Sequence, residues 1–557
     1  YFATGENITW NTNSATNLSP IYSDNPYWTF HENYETDQRN RYFGNAALDY
    51  KINDWLSVLG RFTFDTYSEL QEERTNVGSS NVSKYSRYNN NIAEYNYDLI
   101  FSFNKDLTDK IDLDGNVGFN LRRNDNSSVL ASTNGGLNIA GLYSLSNTFS
   151  PLEAPNEYEA VQMVDAIFAR AGLGYDDFAF IEGTYRVDRN SSLPKATNTY
   201  DYWSVTGSLL FSKLLETDWL NFGKLRANYG VVGNGTAPYN VFNTYGIGTP
   251  FGSTAIASNQ SSLKNLVLRP EEQKNWEIGL EMQFLKRRIG FDVTYYDALN
   301  IDQITAVPVS NSTGYSTVLL NAGTISNKGL EIQFNGTPLK TENFRWDVNL
   351  NWAKNTSLVE SLADGIDNLE LGSFQGGVSI NATPGQPYGT IRGTDHIYHA
   401  NGQPMVNQTG SSSRIGTYMV TDTNNEIIGD INPDWTAGLS NSFTYKNFNL
   451  SFLIDMQKGG DVFSLDTWYG YATGIYDFSA GNNELGNPIR NSVTGTLGNY
   501  GADSGGIILS GVAPDGTPNQ VRANANIFAN PWGYARAANK QHVYDAGFIK
   551  LREASLT

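Results

Sequence analysis

Few residues in this sequence have the types and spacing that catalysis or metal binding requires. His396 and His399 lie three residues apart beside Asp395, a spacing that could share a metal ion on a helix. No third strong ligand is near, so we expect solvated loop histidines. Segment 112–116, DLDGN, matches part of a calcium loop but lacks its later acidic ligands. We therefore expect no metal or cofactor site.

Enzyme motifs are missing from the sequence as well. It contains no nucleophile elbow, HExxH helix, P-loop or paired-carboxylate motif. A soluble glycan-active enzyme would need two acidic catalytic residues in a cleft, and nothing here indicates such a pair. The sequence therefore predicts a protein that is not an enzyme.

Two aromatic stretches are the best candidates for a binding site. They are DTWYGYATGIYDF (466–478) and NPWGYARAANKQHVYD (530–545). The side chains singled out are Trp468, Tyr469, Tyr471, Trp532, Tyr534 and Arg536. Aromatic rings can stack on sugars while amides and carboxylates bond the hydroxyls, and the same residue types grip peptides. They could equally anchor a lid protein or pack the loops themselves, so three roles stay open.

The elements that must position these stretches are alternating strands. In FRWDVNLNWAKN (344–355), every second residue from Phe344 to Trp352 is apolar and the residues between are polar. This period of two predicts a strand with one apolar and one polar face. Similar segments recur in pairs, which predicts seven hairpins and a fifteenth strand near residues 547–556.

Connection lengths indicate what the apolar face contacts. We expect short turns at 53–54, 105–110, 176–177, 213–223, 285–288, 336–343 and 446–447. The intervening connections are long, at 66–96, 122–167, 231–275, 353–434 and 456–543. Compact soluble domains seldom carry several such loops, whereas outer-membrane barrels have short turns at one rim and long extracellular loops at the other. A soluble β propeller also alternates, but no fixed-period repeat is visible.

The alternation therefore predicts an all-β, transmembrane antiparallel β-barrel whose apolar side chains face lipid. The predicted lipid-facing residues are Trp276, Ile278, Leu280, Phe344, Val348, Leu350, Phe448, Leu450 and Phe452. The predicted interior residues are Glu277, Glu281, Arg345, Asp347 and Asn349. Aromatic residues at strand ends, such as Trp55 and Trp435, suit the membrane interface.

Composition excludes several other classes of protein. No run approaches the 18 or so apolar residues of a membrane helix, and the mean hydropathy is −0.41. The net charge of −19 argues against a general affinity for nucleic acid. With no cysteine among 557 residues, disulfides and thiolate metal sites are excluded.

Six phrases, in order, resemble the SusC/RagA branch of the TonB-dependent outer-membrane transporters. They are NPYWTFHENYETDQRNRYFGN (25–45), LRANYGVVGN (225–234), SNKGLEIQFNGTPLK (326–340), PGQPYGTIRG (384–393), GDINPDWTAGLSNSFTYKNFNLSFLIDMQKGGDVFS (429–464) and YDAGFIKLREASLT (544–557). The likeness runs from about residue 25 to the last residue. Such an ordered series is more specific than any single motif.

The resemblance implies a 22-stranded barrel, of which residues 1–557 would be a part of about fifteen strands. The N-terminal plug, the first strands and the last two strands would lie outside this sequence. It also implies a bacterial outer-membrane location of the Bacteroidetes type. The implied partners are a SusD-like surface lipoprotein, the TonB–ExbB–ExbD energy-coupling complex, an oligosaccharide or peptide substrate and outer-membrane lipid.

The leading functional prediction is TonB-dependent import of oligosaccharides, glycans or peptides as the barrel of a SusCD-type complex. The alternative is a passive outer-membrane channel or a surface ligand-binding barrel without energised uptake. A plug and a TonB box would belong only to the importer. The sequence does not select the cargo, because its acidic charge is spread along the whole chain.

Overall fold

A computed structural model describes residues 4–215, 217–411, 413–526 and 531–557 of the chain. These residues form a fifteen-stranded antiparallel sheet whose strands follow one another in chain order. The strands, β1 to β15, are Glu35–Lys51, Leu56–Thr75, Lys84–Thr108, Ile111–Ser132, Asn156–Tyr175, Ala179–Asn190, Thr199–Leu209, Leu220–Asn234, Glu271–Phe284, Ile289–Ile301, Thr324–Lys340, Phe344–Ser361, Pro433–Tyr445, Phe448–Gly459 and Phe548–Leu556. The predicted number of strands is confirmed.

Short and long connections alternate along this sheet. Seven strand pairs are joined at 52–55, 109–110, 176–178, 210–219, 285–288, 341–343 and 446–447. The connections between pairs are 76–83, 133–155, 191–198, 235–270, 302–323, 362–432 and 460–547. The two longest of these connections hold both aromatic stretches.

Two of the connections expected to be long are shorter than the sequence pattern indicated. The expected loop 66–96 is reduced to 76–83, because β2 and β3 continue as a paired ladder from Thr66↔Ala93 to Thr75↔Lys84. The expected loop 122–167 is likewise reduced to 133–155. The ends of β2, β3 and β4 in these segments are mostly polar on both faces, so the hydrophobic alternation fades while the backbone hydrogen bonds continue.

The chain divides into two compact units. The first holds Tyr1–Gly207, Gly230–Gln273 and Asp302–Asn321, and the second holds Ser208–Tyr229, Lys274–Ile301 and Ala322–Thr557. Short strands of the first unit are Tyr245–Phe251, Thr254–Asn259, Ser262–Leu263, Ile304–Pro308 and Thr317–Asn321. Its one α-helix in the described ranges, α1, spans Pro26–Glu32.

Smaller elements of the second unit lie mostly in its two long connections. The short strands are Leu369–Phe374, Val378–Ala382, Thr390–Gly393, Glu426–Asp430, Asp461–Phe463, Gly495–Thr496, Asn499–Tyr500, Ile507–Ile508, Arg522–Ala523 and Val543–Asp545. An α-helix, α2, spans Leu465–Thr473. Among the described residues, the 3-10 helices of this unit are Phe211–Lys213, Asp477–Ser479, Tyr534–Arg536 and Asn539–His542, and Asn311–Thr313 is one in the first unit. None of the helices in the described ranges has both the length and the apolarity needed to cross a membrane.

The register between neighbouring strands places apolar side chains in one row and polar side chains in the next row across β10 to β15. One row is apolar throughout: Phe291, Phe334, Leu350, Leu439, Ile454 and Leu551. The neighbouring row, on the opposite face, is Asp292, Gln333, Asn351, Gly438, Asp455 and Lys550. The alternation seen in one strand is thus a property of the whole sheet of this unit.

The apolar face of this unit is not packed into a core. Ile278, Phe448 and Leu450 are 49%, 65% and 45% exposed, as predicted for side chains that face lipid. On the polar face, Asn228 donates to Glu277 at 3.0 Å and Thr337 donates to Asp347 at 2.7 Å. Residues predicted for the interior therefore belong to a hydrogen-bonded polar surface.

Candidate functional site

The two longest connections fold together into one body, called here the loop body and made of residues 362–432 and 460–547. Its framework is a four-stranded sheet formed by Leu369–Phe374, Val378–Ala382, Thr390–Gly393 and Glu426–Asp430. Val378, Ile391 and Ile428 are buried on it, and Phe463 and Val543 from the second connection pack against them. The loop body therefore has a hydrophobic core of its own.

Hydrogen bonds also fasten the two connections to each other. The Thr394 N–H and hydroxyl donate to Asn539 Oδ1 at 3.0 and 2.9 Å, and the Asn539 N–H donates to Thr394 Oγ1 at 2.9 Å. The Asn539 amide also donates to the Gly376 carbonyl at 2.6 Å. Beside this link, Lys540 and Asp395 form an ion pair at 3.0 Å.

A backbone pairing joins the same two connections at a second place. The Val406 N–H donates to the Val512 carbonyl at 2.8 Å, and the Val512 N–H donates to the Pro404 carbonyl at 3.0 Å. Val406 and Val512 are 0% and 1% exposed. The Tyr418 hydroxyl adds a bond to the Ser510 carbonyl at 2.9 Å. Two separate links hold the loop body closed on itself.

Helix α2 carries the first aromatic stretch, and local sequence signals explain where it begins and ends. Ser464 caps its N-terminus by accepting a bond from the Thr467 N–H at 3.2 Å. Gly474 ends it with φ 70°, a conformation that favours glycine. The Arg490 guanidinium donates to the Gly474 carbonyl at this end at 3.3 Å, and also to the Ser479 carbonyl at 2.9 Å.

The predicted aromatic residues meet around α2. The Trp468 ring lies 4.8 Å from the Tyr469 ring and 4.5 Å from the Tyr534 ring, measured between centroids. Tyr471 and Trp532 are connected through Phe478, at 4.9 and 5.2 Å. Such edge-to-face and tilted contacts are favourable for aromatic pairs. These six residues are called here the aromatic cluster.

Members of the aromatic cluster differ in how much they contact solvent. Trp468 is 7% exposed and lies beneath its neighbours, whereas Tyr534 is 39% exposed. The Tyr469 hydroxyl accepts a hydrogen bond from the Gln375 amide. A hydrogen bond with Tyr544, with a contribution from burial, raises the pKa of Tyr471 to about 12. Solvent therefore reaches Tyr534 much more readily than Trp468.

The sixth predicted residue, Arg536, follows the aromatic cluster in the 3-10 helix Tyr534–Arg536. Its side-chain Nε is buried and has no hydrogen-bond partner among the described residues. The first residue of the second aromatic stretch, Asn530, lies outside the described residues. The structure thus brings the five predicted aromatic side chains into one region. Arg536 is close to them in sequence, and its Nε makes no hydrogen bond to the described residues.

His396 and His399, which were both expected to be solvated, are only partly exposed. Burial lowers the pKa of His396, and its Nδ1 has no partner in the described part of the chain. His542 is 0% exposed, its Nδ1 lies 3.2 Å from the Thr467 hydroxyl, and burial lowers its pKa to about 4. Neutral histidines therefore pack inside the loop body. Within the described ranges, no group of three or more His, Cys, Asp or Glu is placed to hold a metal ion.

The polar face of the second unit contains a cavity of ≈ 440 Å³. Arg226 lines it and donates to the two Asp292 oxygens at 2.7 and 2.9 Å. Glu331, Gln333 and Asn351 line the same cavity. Carboxylates, amides and a guanidinium on one wall can bond hydroxyl or peptide groups.

Sequence reasoning missed the residues that organise the loop body. Asn539 and Thr394 are polar residues in loop segments, and no motif surrounds either of them. They bond each other although they lie 145 residues apart in the sequence. His542 lies at the end of the second aromatic stretch, which is the only sequence signal that could have drawn attention to it.

Comparison with known proteins places most of this chain in a family. Residues 1–424 match the family model described as TonB dependent receptor-like, beta-barrel. TonB-dependent receptor P3 of Formosa agariphila is 23% identical over 480 residues, covering 79% of this chain and 46% of the relative. TonB-dependent receptor SusC of Bacteroides thetaiotaomicron is 26% identical over 251 residues, 42% of this chain and 24% of SusC. The chain spans about half the length of relatives such as P3.

Solved structures support the same fold. The match to a structure of the RagAB peptide transporter covers 96% of this chain and 57% of the matched RagAB chain, with TM-score 0.72 and 15% sequence identity. RagAB in the closed-closed state gives TM-score 0.73 at 16% identity. The predicted fold class, a transmembrane antiparallel β-barrel with long extracellular loops, is thereby confirmed, as is the resemblance to the SusC/RagA branch. The chain belongs to the TonB-dependent receptor-like β-barrel family, whose SusC- and RagA-type members are outer-membrane proteins of Bacteroidetes and not enzymes.

Proposed function

We propose that the protein containing this chain imports oligosaccharides, glycans or peptides across the outer membrane, driven by the TonB–ExbB–ExbD complex. The observation that carries the proposal is the family match over residues 1–424. One relative is named SusC, and the structural neighbour is described as a peptide importer. Residues 1–557 would then be the barrel portion that follows the plug and the first strands.

Within that role, a SusD-like surface lipoprotein is the proposed partner and the aromatic cluster is the proposed contact for this lid or for cargo. The order of the loop body supports this assignment. Ordering a long connection costs about 1–2 kcal/mol of backbone entropy per residue, and here the two connections hold each other before any partner arrives. Such a preorganised surface loses less entropy when it binds.

Within the aromatic cluster, we assign the contact to Tyr534 and Trp532 and a supporting role to Trp468. Tyr534 is 39% exposed and Trp532 is partly exposed, whereas Trp468 is 7% exposed beneath the Tyr469 and Tyr534 rings. We include Arg536, which follows Tyr534 in the same 3-10 helix, in the proposed contact. Its Nε is buried, so a charge-assisted hydrogen bond to a carboxylate or hydroxyl would come from the other N–H groups of the guanidinium.

Uptake measurements in intact cells test the proposal. Labelled glycan fragments and labelled peptides are supplied separately to cells with the native gene, cells without it and cells lacking TonB. An importer loses uptake of one cargo class in both deletion strains. The alternative, a passive channel, retains uptake without TonB, and that result would overturn energised import.

The contact assignment has its own experiment. Tyr534→Ala and Trp532→Ala are compared with Tyr398→Ala, a tyrosine that is 48% exposed in the same loop body but outside the aromatic cluster. The first two variants should lower uptake or co-purification of the lipoprotein, and the control should do neither. Equal behaviour of all three variants would leave the aromatic cluster as internal packing only.

A further inference from the structure

The short turn between β9 and β10, LKRR at 285–288, concentrates positive charge in a chain whose net charge is −19. Its residues Lys286, Arg287 and Arg288 are consecutive, and all three are exposed. Each of the other short connections within strand pairs holds at most one lysine or arginine. Residues 285–288 are called here the basic turn.

The backbone of the basic turn is unfavourable for the residues it carries. Leu285, Lys286 and Arg287 have φ of 54°, 60° and 62°. Residues with a long side chain rarely adopt this left-handed conformation, and turns that need it usually have Gly, Asn or Asp. The turn at 176–178 follows that rule, with Asp176 and Asp177 at φ 50° and 53°. Backbone preference therefore does not explain the basic side chains, and such outliers occur often at functional sites.

Two of the three basic side chains have no partner in the part of the chain that the structure describes. Arg288 donates from Nε and Nη2 to the Thr337 carbonyl at 3.1 and 3.0 Å, and from Nη2 to the Pro338 carbonyl at 2.9 Å. These bonds fasten the basic turn to the bulged end of β11. Lys286 and Arg287 make no side-chain hydrogen bond or ion pair with a described residue. Their two positive charges are available to a ligand.

Exposed aromatic and apolar side chains adjoin the basic turn. The Trp219 and Phe284 rings stack with their centroids 5.7 Å apart, and Phe291 lies 5.7 Å from Phe284. The Leu285 N–H donates to the Trp219 carbonyl at 3.2 Å, which joins the turn to this layer of rings. Trp219 and Leu285 are both 54% exposed. Because the turn is the end of the β9–β10 hairpin, no part of these two strands extends past its charges.

The position of the basic turn in the barrel indicates the ligand. Short turns of outer-membrane barrels lie at the periplasmic rim, where aromatic girdles mark the level of the lipid headgroups. The membrane leaflet at that rim consists of phospholipids. Lysine and arginine bind phosphate groups by charge-assisted hydrogen bonds. The turn contains no carboxylate, so it offers nothing to the ammonium group of a zwitterionic headgroup.

We propose that the basic turn binds the headgroup of an anionic phospholipid of the phosphatidylglycerol type. Lys286 and Arg287 donate to the phosphate, and an acyl chain lies over the Trp219 and Phe284 rings. Arg288 holds the turn in place through its bonds to the two carbonyls. The proposal rests on the membrane location of the sheet and not on cargo import, so uptake and lipid binding can fail separately.

Native mass spectrometry of the full-length protein, purified from membranes and stripped of lipid in detergent, tests the site. Phosphatidylglycerol, phosphatidylethanolamine and phosphatidylcholine with the same acyl chains are added singly. We expect phosphatidylglycerol to be retained about fivefold more than either zwitterionic lipid, the effect of one basic side chain near an anionic headgroup. Equal retention of the three lipids, or preference for a zwitterionic one, would overturn the assignment.

Variants test whether the two free charges cause the preference. Lys286→Gln with Arg287→Gln should lower phosphatidylglycerol retention to the level of phosphatidylcholine, whereas the exchange Lys286→Arg with Arg287→Lys should preserve it. The matched control is Lys105→Gln with Lys110→Gln, two exposed lysines beside a short turn of the first unit that is rich in aspartate. If the control lowers retention as much as the test pair, or if the exchange abolishes the preference, the site is wrong. Retained heat-modifiable migration on gels confirms that each variant is folded.

A competition experiment separates a lipid from other anions of the periplasm. Inorganic phosphate and soluble peptidoglycan fragments are added separately to the protein loaded with phosphatidylglycerol. We expect neither to displace the lipid, because neither has an acyl chain to cover the rings, and Trp219→Ala should lower retention of all three lipids. Displacement by either anion would assign the basic turn to a water-soluble ligand and overturn the proposal.

Discussion

Asn539 and Thr394 bond each other in both directions, side chain to backbone and backbone to side chain, at 2.9 to 3.0 Å. Each residue therefore supplies hydrogen-bond partners to polar groups of the other that would otherwise be buried and unpaired. Because the two residues come from different connections, this reciprocal pair joins the two halves of the loop body.

Replacing Asn539 with alanine should loosen the loop body without unfolding the sheet. The change removes the two bonds that Thr394 donates to Asn539 Oδ1 and the 2.6 Å bond to the Gly376 carbonyl, while the backbone N–H of residue 539 can still donate to Thr394 Oγ1. Leaving buried groups unpaired costs about 1–3 kcal/mol each. Hydrogen exchange should rise at residues 390–395 and 461–463, with little change in β10 to β14. Asn401→Ala, at an exposed position in the same body, is the control, and equal exchange in both variants would contradict this role.

The two faces of the aromatic cluster should respond differently to truncation. Trp468→Ala removes a ring that is 7% exposed and should destabilise the loop body by about 3–5 kcal/mol. Tyr534→Ala removes a ring that is 39% exposed and should cost much less. Limited proteolysis within 460–526 measures the difference. Comparable cleavage of the two variants would mean that Tyr534 is as important for packing as Trp468.

Mild acid should weaken the loop body, because His542 is buried in its neutral form. Its pKa falls from 6.5 to about 4 through burial, so the unfolded loop binds a proton at a higher pH than the folded loop does. Above about pH 6.5, His542 is neutral in both the folded and the unfolded loop, so the free energy of unfolding does not depend on its protonation. As the pH falls towards 4, the free energy of unfolding decreases by up to about 3 kcal/mol. The lowered pKa of His396 acts in the same direction.

Hydrogen exchange at α2 and at residues 539–545, followed from pH 7 to 4 after correction for the intrinsic rate, measures this effect. A His542→Gln variant cannot take up the proton and should show a flatter pH dependence, whatever its stability at pH 7. A profile that is unchanged by the substitution would assign the acid sensitivity to other groups.

An arginine should be tolerated on one face of β12 and not on the other. Leu350 belongs to the apolar row, and Asn351, the next residue, belongs to the polar row. Leu350→Arg near the middle of the bilayer should cost about 2–4 kcal/mol, whereas Asn351→Arg should cost little. Urea-induced unfolding in lipid vesicles measures both. If the two variants unfold at the same urea concentration, the assignment of the faces is reversed or incorrect.

The turns between strands and the apolar and polar faces of the strands could be predicted from the sequence, because each depends on a few neighbouring residues. The turn LKRR has positive φ at Leu285, Lys286 and Arg287, and Lys446 has φ 52° at another predicted turn. Both were located from the interruption of an alternating pattern. The rows across β10 to β15 follow from the same alternation once the turns set the register.

The loop body was not predictable, because its contacts join residues far apart in sequence. No period or motif links Thr394 to Asn539 or Val406 to Val512. The aromatic stretches were identified by composition, but composition does not say that Trp468 is covered while Tyr534 is exposed. Strand lengths in β2 and β3 were underestimated because backbone pairing continues where hydrophobic alternation stops.

The two links between the connections of the loop body restrict how the sequence of these connections can change during evolution. Each connection joins the sheet at the ends of strands, so substitutions inside the loop body need not disturb the rows that face lipid or the interior. The reciprocal bonds between Asn539 and Thr394 and the pairing of Val406 with Val512 nevertheless tie the connections to each other. A recombination event that replaced only one of them would leave the other without its complement. Successful exchange of specificity between paralogues should therefore move 362–432 and 460–547 as a co-inherited pair.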